Sequence, residues 1–379
     1  MTTINDVAKH AGVSVVTASR VLNNVDTVRP ALRAKVEKAI EELGYVPNAV
    51  ARSLRSKQTR SLAVIVPVIA SPHWHGIIQA IEDVAKQRNY VVLLCSTRED
   101  DTIQQHYLDM VISQHVDGVI IAPCDSNPEK LEPLRERGIP TIVINRRVEG
   151  WEGDMVYSDC VSGAYALVSH LIGAGHQRIG IVSGLRHIPP LQDRIAGYCL
   201  ALNEANISYD ERLIRFTEDQ NHNAEVVVDE LLALDQPPTA IFATTNSIAK
   251  HIMDALLRRK VRIPEDMALV CFGEFPEAYF PFFTLILEPA YRLGVLAADM
   301  LFDQLGNGDE WQPRHEILPT QLIVRASCGS QQGIQPQIMF PDPSTIKTDV
   351  RPVLRLPADQ RSHLSELMQA LSLPVTTPI

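Results

Sequence analysis

From Ser61 onward the sequence repeats one pattern, a short apolar run followed by a dozen or more residues with helical amphipathic spacing. The runs fall at 62–67, 91–95, 118–122, 141–144, 179–183, 240–243 and 268–272. Most are β-branched and apolar at odd and even positions alike, as a strand covered by helices on both faces must be. The stretches 77–88, 102–114, 163–174, 194–204, 224–234 and 247–258 read as helices between them. Strand and helix alternating over about 270 residues predict a doubly wound α/β body, and that length suits two lobes better than one.

The first 44 residues have a different texture, three short helical patterns. Thr3 can cap Ile4-Asn5-Asp6-Val7-Ala8-Lys9-His10-Ala11, with Asp6 three residues on and Ile4, Val7, Ala8 and Ala11 forming one apolar stripe. Gly12 permits a tight turn, Val13 plugs the core, and Ser14 caps a second helix over 15–22 that buries Ala18, Val21 and Leu22. Two short helices joined by such a turn make a helix-turn-helix. A third helix opens on Pro30, runs through Val36, Ala39, Ile40 and Leu43, and stops at Gly44.

In that geometry the second helix enters the major groove N-terminus first, which presents Val15 and Val16 to base edges, where apolar side chains meet thymine methyls. Arg20, one turn further, can reach a guanine or a phosphate, while Ser14, Thr17, Ser19 and Asn23 have the short polar side chains that suit phosphate contacts. Charge points the same way. Residues 1–60 hold ten Lys/Arg against five Asp/Glu, leaving 25 against 40 for the rest. A basic head on an acidic body suits a polyanion-binding module, because phosphate neutralisation supplies most non-specific DNA affinity. After the third helix, Asn48 caps two helical turns at most, through Leu54. So short a helix is marginal alone. Paired with a symmetry mate on DNA, it would let Leu54 wedge between base steps in the minor groove; the other reading packs Leu54 on the body.

Other functional classes fit poorly. The six cysteines, Cys95, Cys124, Cys160, Cys199, Cys271 and Cys328, are spread singly, without a CxxC pair, and read as reduced buried thiols. No GxSxG follows a strand and no glycine-rich phosphate loop is present, so no enzyme and no cofactor is expected. The polar start at Thr2, Thr3, Asn5 and Asp6 is not an export signal, and no window approaches 18 uninterrupted apolar residues. The expectation is a cytoplasmic protein with no membrane partner. The alternative function, a free-standing sugar-binding receptor, would need such a signal and leaves the head unexplained.

The head is similar to that of the lactose/galactose repressor family in Thr3-Ile4-Asn5-Asp6-Val7-Ala8, Ala11-Gly12-Val13-Ser14, Ser19-Arg20-Val21-Leu22-Asn23 and Leu43-Gly44-Tyr45-Val46-Pro47-Asn48 with Ala51-Arg52-Ser53-Leu54. The likeness continues through Gly175-His176-Gln177-Arg178-Ile179, Asp193-Arg194-Ile195-Ala196-Gly197-Tyr198, Ile263-Pro264-Glu265-Asp266 and Glu288-Pro289-Ala290-Tyr291-Arg292-Leu293-Gly294, so it spans roughly residues 2–328. The resemblance implies a homodimer on a near-palindromic double-stranded operator, with hinge residues Asn48, Arg52 and Leu54 at its centre. It also implies a body resembling the periplasmic sugar-binding fold, with lobes that rotate when an effector binds between them.

Ligands of doubly wound sheets sit beyond the carboxyl ends of the strands. The residues there are Pro72-His73-Trp74-His75, Pro123-Cys124-Asp125, Asn145-Arg146-Arg147, Asn246 and Glu274, with Arg194 placed by the family resemblance at the head of its helix. An aromatic ring, Trp74, beside convergent polar groups suits a sugar, sugar acid or nucleobase, although Trp74 can also be read as core. Arg146, Arg147 and Arg194 tilt the expectation towards an anion such as a sugar acid, unless Asp125, Asp159 or Glu274 pairs with them. Where the family has an aromatic pair after Pro, this chain has His73-Trp74, and where it has Asp, this chain has Asn145 and Glu274, so effector identity does not transfer. His73 and His75 lack the further ligands a metal needs.

The expected organisation is a helix-turn-helix domain over 1–46, a hinge helix and linker over 47–60, a two-lobed body of two doubly wound parallel sheets over 61–328, and a C-terminal extension over 329–379. In that extension Leu364, Leu367, Met368 and Leu371 fall at i, i+3, i+4 and i+7. The short helix they imply serves either docking on its own domain or oligomerisation, which leaves dimer and tetramer both open.

Overall fold

The computed structural model describes residues 2–22, 27–45, 58–208, 210–217, 224–275, 282–307 and 311–329. The chain divides into two units, residues 1–60 and everything from Ser61 onward.

In the first unit, α1 (Ile4–Ala11), α2 (Val15–Leu22) and α3 (Pro30–Leu43) close on one core. Thr3 and Asp6 form a capping box on α1, and Gly12, at φ +64°, ends it with a turn that L side chains rarely adopt. Pro30 opens α3 and Gly44 closes it in the left-handed region. Val7, Ala8, Ala18, Val21, Val36 and Ala39 are buried together, with Val13 and Tyr45 packed against them. His10 Nε2 lies 2.7 Å from Glu42 Oε2 and ties α1 to α3.

The second unit is built on two six-stranded sheets. The N-lobe sheet contains β1 (Ser61–Val66), β2 (Val91–Ser96), β3 (Gly118–Ile121), β4 (Thr141–Ile144), β5 (Asp154–Ser158) and β11 (His315–Leu318), in the order β11-β5-β4-β3-β1-β2, all parallel. The C-lobe sheet contains β6 (Ile179–Ser183), β7 (Ile214–Phe216), β8 (Ala240–Ala243), β9 (Ala268–Phe272), β10 (Thr284–Leu287) and β12 (Gln321–Ile323), in the order β12-β10-β9-β8-β6-β7. Only β12, at an edge, runs antiparallel to its neighbour.

Helices cover both faces of each sheet. On the N-lobe they are α4 (Pro72–Gln87), α5 (Asp101–Ser113), α6 (Glu132–Glu136) and α11 (Ala290–Asn307); on the C-lobe, α7 (Cys160–Gly173), α8 (Pro189–Glu204), α9 (Ala224–Leu232) and α10 (Asn246–Arg258). Each lobe therefore has two cores, one per face. The chain passes between lobes three times: at Asp159, at Glu288-Pro289, and at Pro319-Thr320. Glycine sets the closest helix approach in each lobe. A Cβ on Gly197 of α8 would collide with the Val161 carbonyl of α7, and one on Gly294 of α11 with the Ile77 carbonyl of α4.

Every strand and helix expected between residues 61 and 272 of the body is present, with two consequential shifts. The helix expected at 77 begins at Pro72, and that expected at 194 begins at Pro189, because proline at the first helical position continues a helix from its N-terminal end. His73, Trp74 and His75 thus lie in a first helical turn, not in a loop, and Arg194 sits in the second turn of α8 and not at its head. The strands β5, β7, β10, β11 and β12 were not among those expected, although β10 does carry an apolar run, Leu285-Ile286-Leu287. The hinge, 47–57, and the tail from 330 onward lie outside the described residues.

Candidate functional site

The head presents α2. Ser14 Oγ accepts the Thr17 backbone N–H at 3.1 Å and lies 2.9 Å from Thr17 Oγ1, which fixes the first turn. While Ala18 and Val21 are buried, Val15 and Val16 remain 42% and 61% exposed, an arrangement that stability alone does not favour. Arg20 is exposed, and Thr17 and Ser19 are half-buried. Of the other expected DNA contacts, Asn23, Asn48, Arg52 and Leu54 lie outside the described residues.

The body holds a cavity of about 510 Å³ at the carboxyl ends of the two sheets. Its walls include His73, Trp74, Glu99, Asn145 and Arg146 from the N-lobe, Arg194, Asn246, Lys250, Phe272 and Phe275 from the C-lobe, and Glu288 from a crossing between them. His73, Trp74, Asn145, Arg146, Arg194 and Asn246 are thus brought together as the sequence suggested. Asn145 adopts φ +58° and is buried. Trp74 is only 7% exposed and belongs to the N-lobe core as well as to the wall, with His73 edge-on at 5.3 Å.

Two expected residues are not in the walls. Asp125 turns to Lys130, which also meets Asp101 at 2.7 Å, and accepts the Asn127 N–H at 3.0 Å. Glu274 is exposed; its contribution is a backbone carbonyl that accepts a hydrogen bond from Asn246 Nδ2. The second histidine of that segment, His75, is exposed on α4.

The arginine partners also differ from those anticipated. Arg146 pairs with Glu99 and donates to the Pro123 carbonyl, Arg147 meets Asp193 at 3.1 Å, and Arg194 meets Glu288 at 3.0 Å. Arg194 also donates to the Thr244 carbonyl at 2.6 Å and lies over the Phe272 ring at 3.9 Å. Burial opposes its charge most strongly, yet the Glu288 carboxylate, with Cys160 and Asp193 adding to it, holds its pKa above the ordinary value. Burial raises the Asp193 carboxyl, although Arg147 opposes the shift. The six cysteines are free and buried, and burial pushes the Cys199 thiol up to about 12, which disfavours its thiolate.

Sequence reasoning missed Glu99 and Glu288, and these two carry the site's unfilled chemistry. Glu99 Oε2, Glu288 Oε1, Arg194 Nε and His73 Nε2 are buried without a protein hydrogen-bond partner. Such atoms are costly unless something else meets them. The C-terminal-end rule would have found both glutamates had it been applied after β2 and β10. Among the described residues, no group of three or more His, Cys, Asp or Glu is arranged to hold a metal.

Residues 3–48 match the family described as bacterial regulatory proteins, lacI family, and residues 168–328 match the periplasmic binding protein-like domain. The HTH-type transcriptional repressor PurR of Vibrio atlanticus (strain LGP32) is 32% identical over 330 residues, 86% of this chain and 98% of that protein. The HTH-type transcriptional repressor CytR of Escherichia coli (strain K12) is 31% identical over 332 residues, 86% of this chain and 96% of that protein. A solved complex of the transcriptional regulator CelR with cellobiose is 29% identical, covers 86% of this chain and all of that one, and has a TM-score of 0.66. The lac repressor dimer bound to operator and the anti-inducer ONPF is 24% identical, covers 86% and 99% of the two chains, and shares the fold at a TM-score of 0.76.

A helix-turn-helix head followed by a two-lobed body with a polar cleft defines a DNA-binding regulator that takes a small-molecule effector. The relatives are repressors, which sets aside both an enzyme and a free-standing receptor. The chain belongs to the LacI family of bacterial regulatory proteins. Among the described residues no helix is long and apolar enough to cross a membrane.

Proposed function

We propose that this LacI-type regulator binds a palindromic operator as a homodimer and that its cleft takes a neutral, donor-rich effector, a sugar or a nucleobase, in preference to a sugar acid. One observation carries the ligand class: two buried carboxylate oxygens, Glu99 Oε2 and Glu288 Oε1, accept no hydrogen bond from the protein. Hydroxyl or N–H donors on the ligand would satisfy them, and Arg194 Nε would donate in return. An anion would face those two carboxylates, while Arg146 and Arg194 are already matched by Glu99 and Glu288. The neutral sugar in the CelR complex agrees with that class.

His73, Trp74, Asn145, Arg146, Arg194 and Asn246 are the effector contacts we assign, with Glu99 and Glu288 added. For the operator we assign Val15, Val16 and Arg20 to bases and Ser14, Thr17, Ser19 and Asn23 to phosphates, with Asn48, Arg52 and Leu54 in the hinge. The exposed apolar edge of β2, with Val91 at 64%, Leu93 at 36% and Leu94 at 40%, supports a dimer, since a bare sheet edge calls for cover. For residues 329–379 we retain an appended segment.

The test is a thermal-shift panel of neutral sugars, sugar acids and nucleobases, followed by operator titrations with each hit. A neutral hit that changes operator affinity is expected. Stabilisation by sugar acids alone would overturn the ligand class, and no preference for any duplex over random competitor, with or without a hit, would overturn the regulator reading.

A further inference from the structure

Arg147 follows β4 in the N-lobe, and Asp193 lies on α8 in the C-lobe. Their side chains meet at 3.1 Å and are only 11% and 12% exposed, so the pair spans the two lobes in a largely dry setting. Neither residue lines the cavity, yet each has a sequence neighbour that does: Arg146 beside Arg147, and Arg194 beside Asp193. On both sides of the cleft, one residue faces the ligand space and the next reaches the opposite lobe. Arg147 Nε is buried without a partner.

We propose that the Arg147–Asp193 ion pair is the clasp that holds the lobes closed over the cleft, a positioning pair through which occupancy of Arg146 and Arg194 is converted into lobe orientation. The physical argument rests on desolvation. In the closed body each of these charges is tolerated because the other is in contact; removing one leaves its partner buried and unmatched. Separation of the lobes returns that partner to water, so a body with half a clasp favours the open arrangement. A ligand gripped one residue away on each lobe would draw both halves of the clasp together, and the clasp in turn would strengthen the grip.

The consequence for ligand binding rests on the cleft being the effector site, but closure itself is measurable without ligand. Hydrogen exchange would be followed by mass spectrometry on the ligand-free full chain as wild type, Arg147→Gln and Asp193→Asn. Each single variant is expected to exchange at least tenfold faster in the cleft-facing segments of both lobes, 67–74 and 184–194, while the core strands 62–66 and 179–183 keep wild-type rates. The charge-swapped double variant, Arg147→Asp with Asp193→Arg, is expected to return both segments to within about threefold of wild type. Faster exchange confined to the substituted lobe would overturn the clasp, as would a folded swap no better protected than the singles. Should the swap fail to fold, the two-lobe pattern of the single variants decides. A failed ligand panel leaves these exchange patterns intact, and so separates an error in the effector reading from an error in the clasp.

Discussion

Arg194 and Glu288 meet at 3.0 Å in the wall of the cleft, with side chains only 7% and 5% exposed, although 94 residues separate them in the chain. Arg194 belongs to α8, and Glu288 to the strap that leaves β10 for the other lobe. The contact therefore joins a binding wall to a hinge.

For that reason Arg194→Ala is not a clean probe of binding. It leaves the buried Glu288 carboxylate with only His73 Nδ1, at 3.8 Å, for a partner and should lower stability by about 3–5 kcal/mol, read as a shift in the urea midpoint. Replacing both residues, Arg194→Met with Glu288→Leu, should recover most of that loss while still abolishing the effector response in operator titrations. A double variant no more stable than the single would contradict this account of the pair.

Arg20 is exposed on α2 and should act on DNA alone. Arg20→Ala should weaken operator binding by roughly 10- to 100-fold, the weight of one good base contact, with a melting temperature within about 2 °C of wild type, since exposed substitutions lie within ~0.5 kcal/mol. Wild-type operator affinity, measured by fluorescence anisotropy, would remove Arg20 from the interface.

Gly197→Ala should disturb the seam between α7 and α8. The added methyl meets the Val161 carbonyl and the Ala164 side chain, and a backbone atom cannot rotate away. A loss of at least ~1–3 kcal/mol follows from overpacking. Calorimetry showing no loss would mean that the two helices lie further apart than described.

Leu94→Lys, at the exposed edge of β2, should convert the proposed dimer to a monomer at micromolar concentration, seen by sedimentation. A burial change of this kind leaves the monomer fold alone, because Leu94 is already 40% exposed there. An intact dimer would move the interface elsewhere.

Asp210 gives a pH signature. Its carboxyl is held down to about 2, chiefly by the hydrogen bond from the Arg212 side chain, with the Arg212 backbone and Arg178 adding to it and partial burial opposing. Because the folded pKa lies below the ordinary 3.8, this stabilisation is complete above that value and disappears as pH falls through about 2. The melting difference between wild type and Asp210→Asn should therefore be constant above about pH 5 and vanish near pH 2. A difference that persists unchanged at pH 2 would refute the assignment.

The legible parts of the fold were those in which local chemistry and tertiary position agree. Runs such as Ile241-Phe242 are buried on both faces, and the head's capping box, Gly12 turn and Pro30 start are local devices that need no distant partner. Short strands were not legible. Ile214–Phe216, His315–Leu318 and Gln321–Ile323 carry charged or polar residues at sheet edges and take their pairing from neighbours already in place. The cleft was half legible for a related reason: position after a strand pointed to Asn145 and Arg146, but nothing local paired Arg146 with Glu99 or Arg194 with Glu288. Those matches are made by the packing of segments far apart in sequence, and they turned an expected excess of positive charge into a balanced wall.

The three crossings between lobes bear on how the protein is made. The N-lobe begins at β1 but is completed by α11 and β11, which leave the ribosome only after every C-lobe strand except β12 has been translated. Until then Leu62, Val64 and Ile142 lack the cover that Leu293, Ala297 and Leu301 later provide. At ordinary elongation rates that interval is on the order of ten seconds. The first half of the body must therefore wait, sticky and unfinished, for the second, so nascent chains stalled before residue 290 should be clients of chaperones while those past residue 318 should not.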